Sequence, residues 1–159
     1  MNTIADFEYN RLWRKIITEY HFDPRAVRDH TEWLNLSFDF DKYILPVKCW
    51  DDDQERRVNQ IFKLITDGMM YAMDWQHDSF EYSPSEDIAL GYTFFDEDSK
   101  LYRYFPSYYP NGDYHFFVDV DWRFGLLGNP FNNELIIFGK DLMRNFKMNS
   151  DYLQITKAN

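Results

Sequence analysis

Cysteine is almost missing from this chain: of 159 residues only Cys49 carries a thiol. One cysteine excludes an intramolecular disulfide framework and any zinc or iron–sulfur centre built on several thiolates. Cys49 itself reads as a small, partly buried apolar side chain. Long apolar runs are missing too. No segment approaches the roughly 20 apolar residues of a membrane span. The opening "MNTIADFEYNRLWRK" sets charges where a secretory leader needs leucines. A cytoplasmic location is therefore expected. Cations are scarce: 17 Lys and Arg stand against 27 Asp and Glu, a net charge of −10. A phosphate backbone rewards a basic footprint, which this chain lacks. Anionic membranes repel the same field. Neither nucleic acid nor membrane is expected as a partner; a basic protein or a cationic ligand suits the charge better.

Glycine and proline are sparse at six each, and no linker, repeat or low-complexity run interrupts the chain. One domain over residues 1–159 is expected, long enough to bury roughly 70% of its unfolded surface without a staple. What is abundant is aromatic: 20% of residues, with twelve Tyr and fifteen Phe. Such a composition excludes disorder and obliges several hydroxyls to find partners.

Helical periodicity dominates the first part, about residues 6–67. Tyr9, Leu12, Trp13, Ile16, Ile17 and Tyr20 gather into one apolar stripe. Asp23 and Pro24 then read as the N-cap and first residue of a short second helix. Asp51, Asp52 and Asp53 cap a third helix whose stripe is Val58, Ile61, Phe62 and Ile65, with Gly68 as its left-handed close. Between them, "LNLSFDFD" alternates strictly over 34–41 and reads as a half-buried strand.

From about 69 to 139 the period becomes two. "MYAMDWQH", "SFEYS", "LYRYFPS", "YHFFVDVDW" and "ELIIFG" read as strands. Pro110-Asn111-Gly112-Asp113 reads as a hairpin turn, "GLLGNP" at 125–130 as a loop, and "KDLMRNF", about 139–147, as a short closing helix with Leu142, Met143 and Phe146 inward. "QITKAN" reads as a frayed end. Helices followed by a run of strands predict an α+β fold: an antiparallel β-sheet with helices packed mainly on one face.

Two groups of residues invite a functional reading. In the strand from Tyr114 to Arg123, His115, Asp119 and Asp121 share one face, opposite Tyr114 and Trp122. In the earlier strand Tyr71, Met73, Trp75 and His77 lie together, opposite Asp74, Gln76 and Asp78. If the strands are neighbours, His77 falls near Asp113 or His115 at a strand end. Two imidazoles and a carboxylate are residue types of a metal triad or of a general base. No phosphate-binding loop, nucleophile elbow or H-E-x-x-H accompanies them. The plainer reading has Trp75 packing while Asp74 and His77 satisfy neighbouring polar groups. Trp33, Trp50, Trp75 and Trp122, with the tyrosines at 102, 104, 108 and 109, exceed what the core must hold. Aromatics reaching the surface beside carboxylates would form a binding face for a basic partner.

Three motifs carry a resemblance: Ala72 to His77 with its DWQH, "PNGDY" at 110–114, and "FGLLGNP" followed by "IIFG". Together they resemble an uncharacterised bacterial family, a domain of unknown function, with Asn129 and Phe131 standing where its loop is associated with His and Trp. The resemblance implies bacterial origin and no activity. By size and charge the chain is analogous to immunity or antitoxin proteins.

Two functions follow as expectations. The leading one is a non-enzymatic, cofactor-free module, monomer or homodimer, that binds a basic protein through Asp74, Trp75, His77, Asp113, His115, Asp119, Asp121 and Trp122. The other is a small enzyme or metal- or ligand-binding protein built on His77, Asp113 and His115.

Overall fold

The computed structural model describes residues 1–86, 88 and 90–158. In chain order the elements are β1 (Asn2–Thr3), α1 (Asp6–Glu19), α2 (Ala26–Asp29), β2 (Phe40–Ile44), α3 (Asp52–Ile65), β3 (Met70–Asp74) and β4 (Ser79–Tyr82). There follow β5 (Tyr92–Asp96), β6 (Leu101–Phe105), β7 (His115–Asp119), β8 (Gly125–Asn129), β9 (Glu134–Phe138), α4 (Lys140–Met148) and β10 (Thr156–Lys157). The expected α+β class is the class observed. Two compact units form, one of residues 4–39 and one of residues 1–3 with 40–159.

In the smaller unit, α1 buries Leu12, Trp13 and Ile16, while Ile17 at the edge of the stripe stays exposed. Phe22 folds back on Trp13 with ring centres 5.8 Å apart. Asp23 does not cap α2 as expected. Arg25 takes that position, and the Asp23 carboxylate accepts the Arg25 N–H at 2.9 Å as an Asx turn. The strand expected at 34–41 is absent over 34–39. Its backbone is committed elsewhere: Asn35 donates to the Tyr20 carbonyl, and the Trp33 carbonyl accepts from Asp23. Phe38 rests edge-on against Tyr20, 5.4 Å between centres. Alternation set the apolar side chains, but the helix end claimed the hydrogen bonds a ladder would need.

The larger unit is organised by α3. The Asp51 carboxylate accepts the Gln54 N–H at 2.8 Å and the Gln54 side chain accepts the Asp51 N–H at 2.9 Å, a reciprocal capping box. Val58, Ile61 and Phe62 are buried. Burying Phe62 completely contributes about 1.5–3 kcal/mol. The helix ends at Thr66 in extended backbone rather than at Gly68, whose N–H bonds the Thr66 hydroxyl. Leu142 and Phe146 of α4 join the same apolar cluster, Met143 packing at its edge. The sheet side of that cluster is Ala72, Phe80, Phe117, Leu126, Leu135 and Ile137, so α3 and α4 share one face.

The sheet runs β1-β4-β3-β7-β8-β9-β2-β10 with antiparallel neighbours, and β5–β6 forms a separate two-stranded ladder. "GLLGNP", expected as a loop, is instead the central strand β8. Its glycines mark close packing: a Cβ at Gly125 would lie 2.6 Å from the Phe138 ring, and one at Gly128 would lie 2.9 Å from Pro110. "PNGD" turns as expected, with Gly112 at φ +100°, but links β6 to β7, which belong to different ladders, so it closes no hairpin. The strands expected to run on to His77 and Arg123 stop at Asp74 and Asp119, where Gln76 (φ 68°) and Trp122 (φ 61°) turn the chain. β5 carried no expectation. Of the end expected to fray, Thr156 and Lys157 instead pair with Ile44 and Tyr43, and Asn159 lies outside the described residues. Cys49 is exposed rather than partly buried.

Candidate functional site

β3 and β7 are in register so that Asp74 stands opposite His115. Both extend the face that carries Ala72 and Phe117, and both are almost fully buried. The chain leaves β3 at Trp75, whose N–H bonds the Tyr114 carbonyl at 3.0 Å. Gln76 adopts left-handed backbone, and the His77 N–H returns to the Asp74 carbonyl at 3.1 Å. This tight turn carries the His77 ring back over Asp74, with Nδ1 3.0 Å from Oδ1. Asp74 and His77 thus meet through the turn, whereas continued strand would hold them on opposite faces. From the segment before β7, Asp113 fixes Oδ1 on the Tyr114 N–H at 2.8 Å and brings Oδ2 to 3.7 Å from His77 Nδ1. One ligand atom each from Asp74, His77 and Asp113 lie within 4.8 Å of one another.

The electrostatics follow from unequal exposure. Asp74 is buried, Asp113 mostly so, and the His77 side chain is 58% exposed. The hydrogen bond to Asp74 holds the His77 proton and raises its pKa. Burial raises Asp113 against the bond from the Tyr114 N–H, and the Asp74 charge adds to the rise. The donor set is one imidazole nitrogen and two carboxylate oxygens, which suits Zn²⁺ or Mn²⁺ better than a soft, thiolate-seeking ion.

Behind these groups lies a shell of which the sequence reading named only His115. His115 Nδ1 lies 2.9 Å from the Ser107 carbonyl, and its Nε2 lies 3.5 Å from Asp74 Oδ2. Ser107 belongs to a strap, residues 106–110, whose Tyr108 and Tyr109 N–H groups donate to Glu55 of α3 at 2.8 and 3.0 Å. The Ser107 hydroxyl donates to the Tyr109 carbonyl at 2.6 Å, and Pro110 lies on Gly128. Burial pushes Glu55 up to about 7, outweighing the two N–H donors that lower it. Glu55 stands among the acids of the first turn of α3. Its spacing was the available signal: 55, 58 and 62 put it on the buried stripe with Val58 and Phe62.

The eight candidates divide into two places. Asp74, His77, Asp113 and His115 converge, with Trp75 half-buried in the turn between Asp74 and His77. Asp119, Asp121 and Trp122 sit at the far end of β7, roughly 13 Å along the strand. Asp119 is no surface group. It is fully buried, takes the Arg123 guanidinium at 2.6 and 2.9 Å and accepts the N–H groups of Asp121 and Arg123. Burial alone would raise its pKa, but Arg123 holds it below the ordinary carboxylate value. Asp121 is exposed, and Trp122 packs against Tyr71 with ring centres 6.3 Å apart. Of the aromatics expected to line a surface, Trp33, Trp50, Tyr108 and Tyr109 are buried.

The three short motifs meet in space: DWQH supplies Asp74 and His77, PNGDY supplies Asp113, and Gly128 of FGLLGNP lies beneath Pro110. Among the described residues no helix is long and apolar enough to cross a membrane. The chain is 37% identical over 93 residues to the uncharacterized protein YxiI of Bacillus subtilis (strain 168), a stretch covering 57% of this chain and 52% of the relative. It thus spans about half the length of that curated relative. No solved structure matches it. Residues 3–143 match the family described as a protein of unknown function, DUF2716, and the chain belongs to that family.

Proposed function

We propose that this protein binds a divalent transition-metal ion through Asp74, His77 and Asp113, with a further coordination position open to a small ligand. The supporting observation is the convergence of three donor atoms brought from a strand end, a turn and a loop. The separations from His77 Nδ1, 3.0 and 3.7 Å, bracket the roughly 3.4 Å edge of a tetrahedron with bonds of about 2.1 Å. Three protein ligands with one solvent-facing side is the arrangement of a site that keeps a position for water or substrate. The test is a thermal-unfolding titration with Zn²⁺, Mn²⁺ and Mg²⁺. At a hundredfold excess over Kd, linkage contributes about 2.7 kcal/mol, which for this length is roughly 5–10 °C. Zn²⁺ or Mn²⁺ should give that rise, Mg²⁺ much less, and Asp74→Asn and His77→Ala none. A wild-type protein indifferent to every ion would end this reading.

A second reading, a module for a basic protein partner of the kind an immunity protein meets, is favoured by the β5–β6 hairpin. Tyr92, Phe95, Leu101 and Tyr102 are exposed there, Tyr102 at 76%, beside Asp96, Glu97 and Asp98. Phe95 and Tyr102 touch edge-on at 5.2 Å. Aromatic anchors within acidic side chains suit a lysine- or arginine-rich surface. The face is placed on this hairpin for its exposed rings, whereas Asp119 is buried against Arg123; Asp96 and Glu97 themselves pair with Arg103 and Lys100. Binding of arginine-rich peptides that is unchanged by both 300 mM salt and Tyr102→Ser would count against it.

A further inference from the structure

Taking the metal reading above as its premise, we propose that Arg103 is a positioning residue for His77. It pins the far end of the turn that presents this ligand, and so ties the metal site to the β5–β6 hairpin.

Between the paired residues Met73 and Ser79 the chain reverses through Asp74, Trp75, Gln76, His77 and Asp78. The sheet fixes the first half of this reversal. Asp74 stands in register with His115, and the Trp75 N–H donates to the Tyr114 carbonyl at 3.0 Å. A side chain fixes the second half: Asp78 Oδ1 accepts from Arg103 Nη1 at 2.6 Å. His77 lies between the two anchors. Its ring is more than half exposed, so packing holds it only in part. Where the ring sits, 3.0 Å from Asp74 and 3.7 Å from Asp113, is therefore set by the backbone that carries it.

Arg103 is itself a fixed anchor. Its side chain is 17% exposed, and Nε donates to Asp96 Oδ2 at 2.7 Å. Asp96 is held in turn by the Asp98 N–H at 3.1 Å and the Ser99 hydroxyl at 2.8 Å. Rings seat this part of the hairpin on β4. Phe94, the register partner of Arg103, packs on Phe80 with centres 6.0 Å apart, and Phe105 packs on the same ring at 5.1 Å. Phe80 follows Asp78 by two residues, so the guanidinium is delivered to the start of β4. A planar fork serves two carboxylates in two directions at once, which a lysine ammonium on a flexible stem does not reproduce. Asp78 lies outside the three-atom cluster, so the clamp acts on the site through the chain. Groups outside a ligand set that orient it commonly change metal affinity 10–100-fold. Arg103 acts one residue along the backbone, so the lower end, about tenfold, is expected.

The experiment is a Co²⁺ titration of the whole chain followed by visible absorption, with Zn²⁺ competition to obtain Kd. Wild type is compared with Arg103→Gln, Arg103→Lys and Asp78→Asn, and metal-free urea unfolding is recorded for each. Charge acting only through space gives opposite signs: losing the Arg103 cation would tighten a cation site, and losing the Asp78 anion would loosen it. A clamp gives one sign. Arg103→Gln and Asp78→Asn should both weaken binding about tenfold and alter the absorption band, and Arg103→Lys, which keeps the charge, should weaken it too. Any other pattern overturns the inference, including variants that lose stability but keep the wild-type Kd and band. Should Arg103→Gln fail to fold, Arg103→Lys decides: weaker binding with an altered band supports the clamp, and a wild-type Kd and band overturn it. A wild-type protein that takes up neither Co²⁺ nor Zn²⁺ removes the metal reading and this inference with it. A binding wild type with indifferent variants removes the inference alone.

Discussion

Pro110 rests on Gly128: a methyl group at the glycine would come within 2.9 Å of the Cβ and Cγ of the proline. This contact sets the height of the strap that carries Ser107, Tyr108 and Tyr109 above the central strand β8. It explains why a strand in the middle of the sheet tolerates a residue without a side chain to pack.

Gly128→Ala should therefore destabilise the fold by about 1–3 kcal/mol through overpacking. It should also weaken Zn²⁺ binding, because Pro110, three residues before Asp113, must rise. Chemical denaturation and the metal titration together check this. A variant as stable as wild type with intact metal affinity would show that the strap gives way without consequence.

Glu55 makes stability depend on pH in a stated direction. Its folded pKa, about 7, lies above its ordinary value of 4.5, so the folded chain holds that proton more tightly. The extra stability is fully present below pH 4.5 and is lost as pH rises through 7. The gap corresponds to about 3 kcal/mol. Glu55→Gln removes this group, so the difference in unfolding free energy between variant and wild type should change with pH across that window. Parallel curves from pH 4.5 to 7.5 would contradict the buried, strap-holding carboxylate.

Asp119 separates a structural acid from a binding one. It closes the β7–β8 turn by accepting two N–H groups and the Arg123 guanidinium. Asp119→Asn should cost about 1.5–3 kcal/mol, the usual contribution of hydrogen bonds to a charged group. That loss should appear as a melting temperature lower by several degrees. Zn²⁺ affinity should stay unchanged, since the residue stands at the opposite end of β7 from the cluster. A loss of metal affinity equal to that of Asp74→Asn would show that the two ends of the strand are one site.

Much of the local structure was legible in residue order, because it rests on short-range chemistry. The aspartate cap of α3 and the stripe Val58, Ile61, Phe62 are both set by residues a turn apart, though the Gln54 half of the cap was not read. Period-two runs marked β3, β4, β6, β7 and β9 in the same way, and the α+β class followed from helices preceding strands. The same local rules misread 34–39, where the carbonyl of Tyr20, fifteen residues back, took the hydrogen bond of Asn35. They misread 125–130, where two glycines signalled a turn but in fact admit Phe138 and Pro110.

The candidate site was half visible. The sequence named His77, Asp113 and His115 as residue types able to bind an ion if their strands were neighbours; in the structure Asp74 joins His77 and Asp113 in place of His115. What only tertiary structure decided is the burial of each group and its partner. Asp74 and His115 meet because two strands pair across forty residues, and Glu55 reaches the strap because α3 lies on that face of the sheet. Asp119, a carboxylate of the same kind on the same strand, is drawn instead to Arg123. A side chain's chemistry is written in the sequence; its solvent, and therefore its proton and its neighbour, is supplied by the fold.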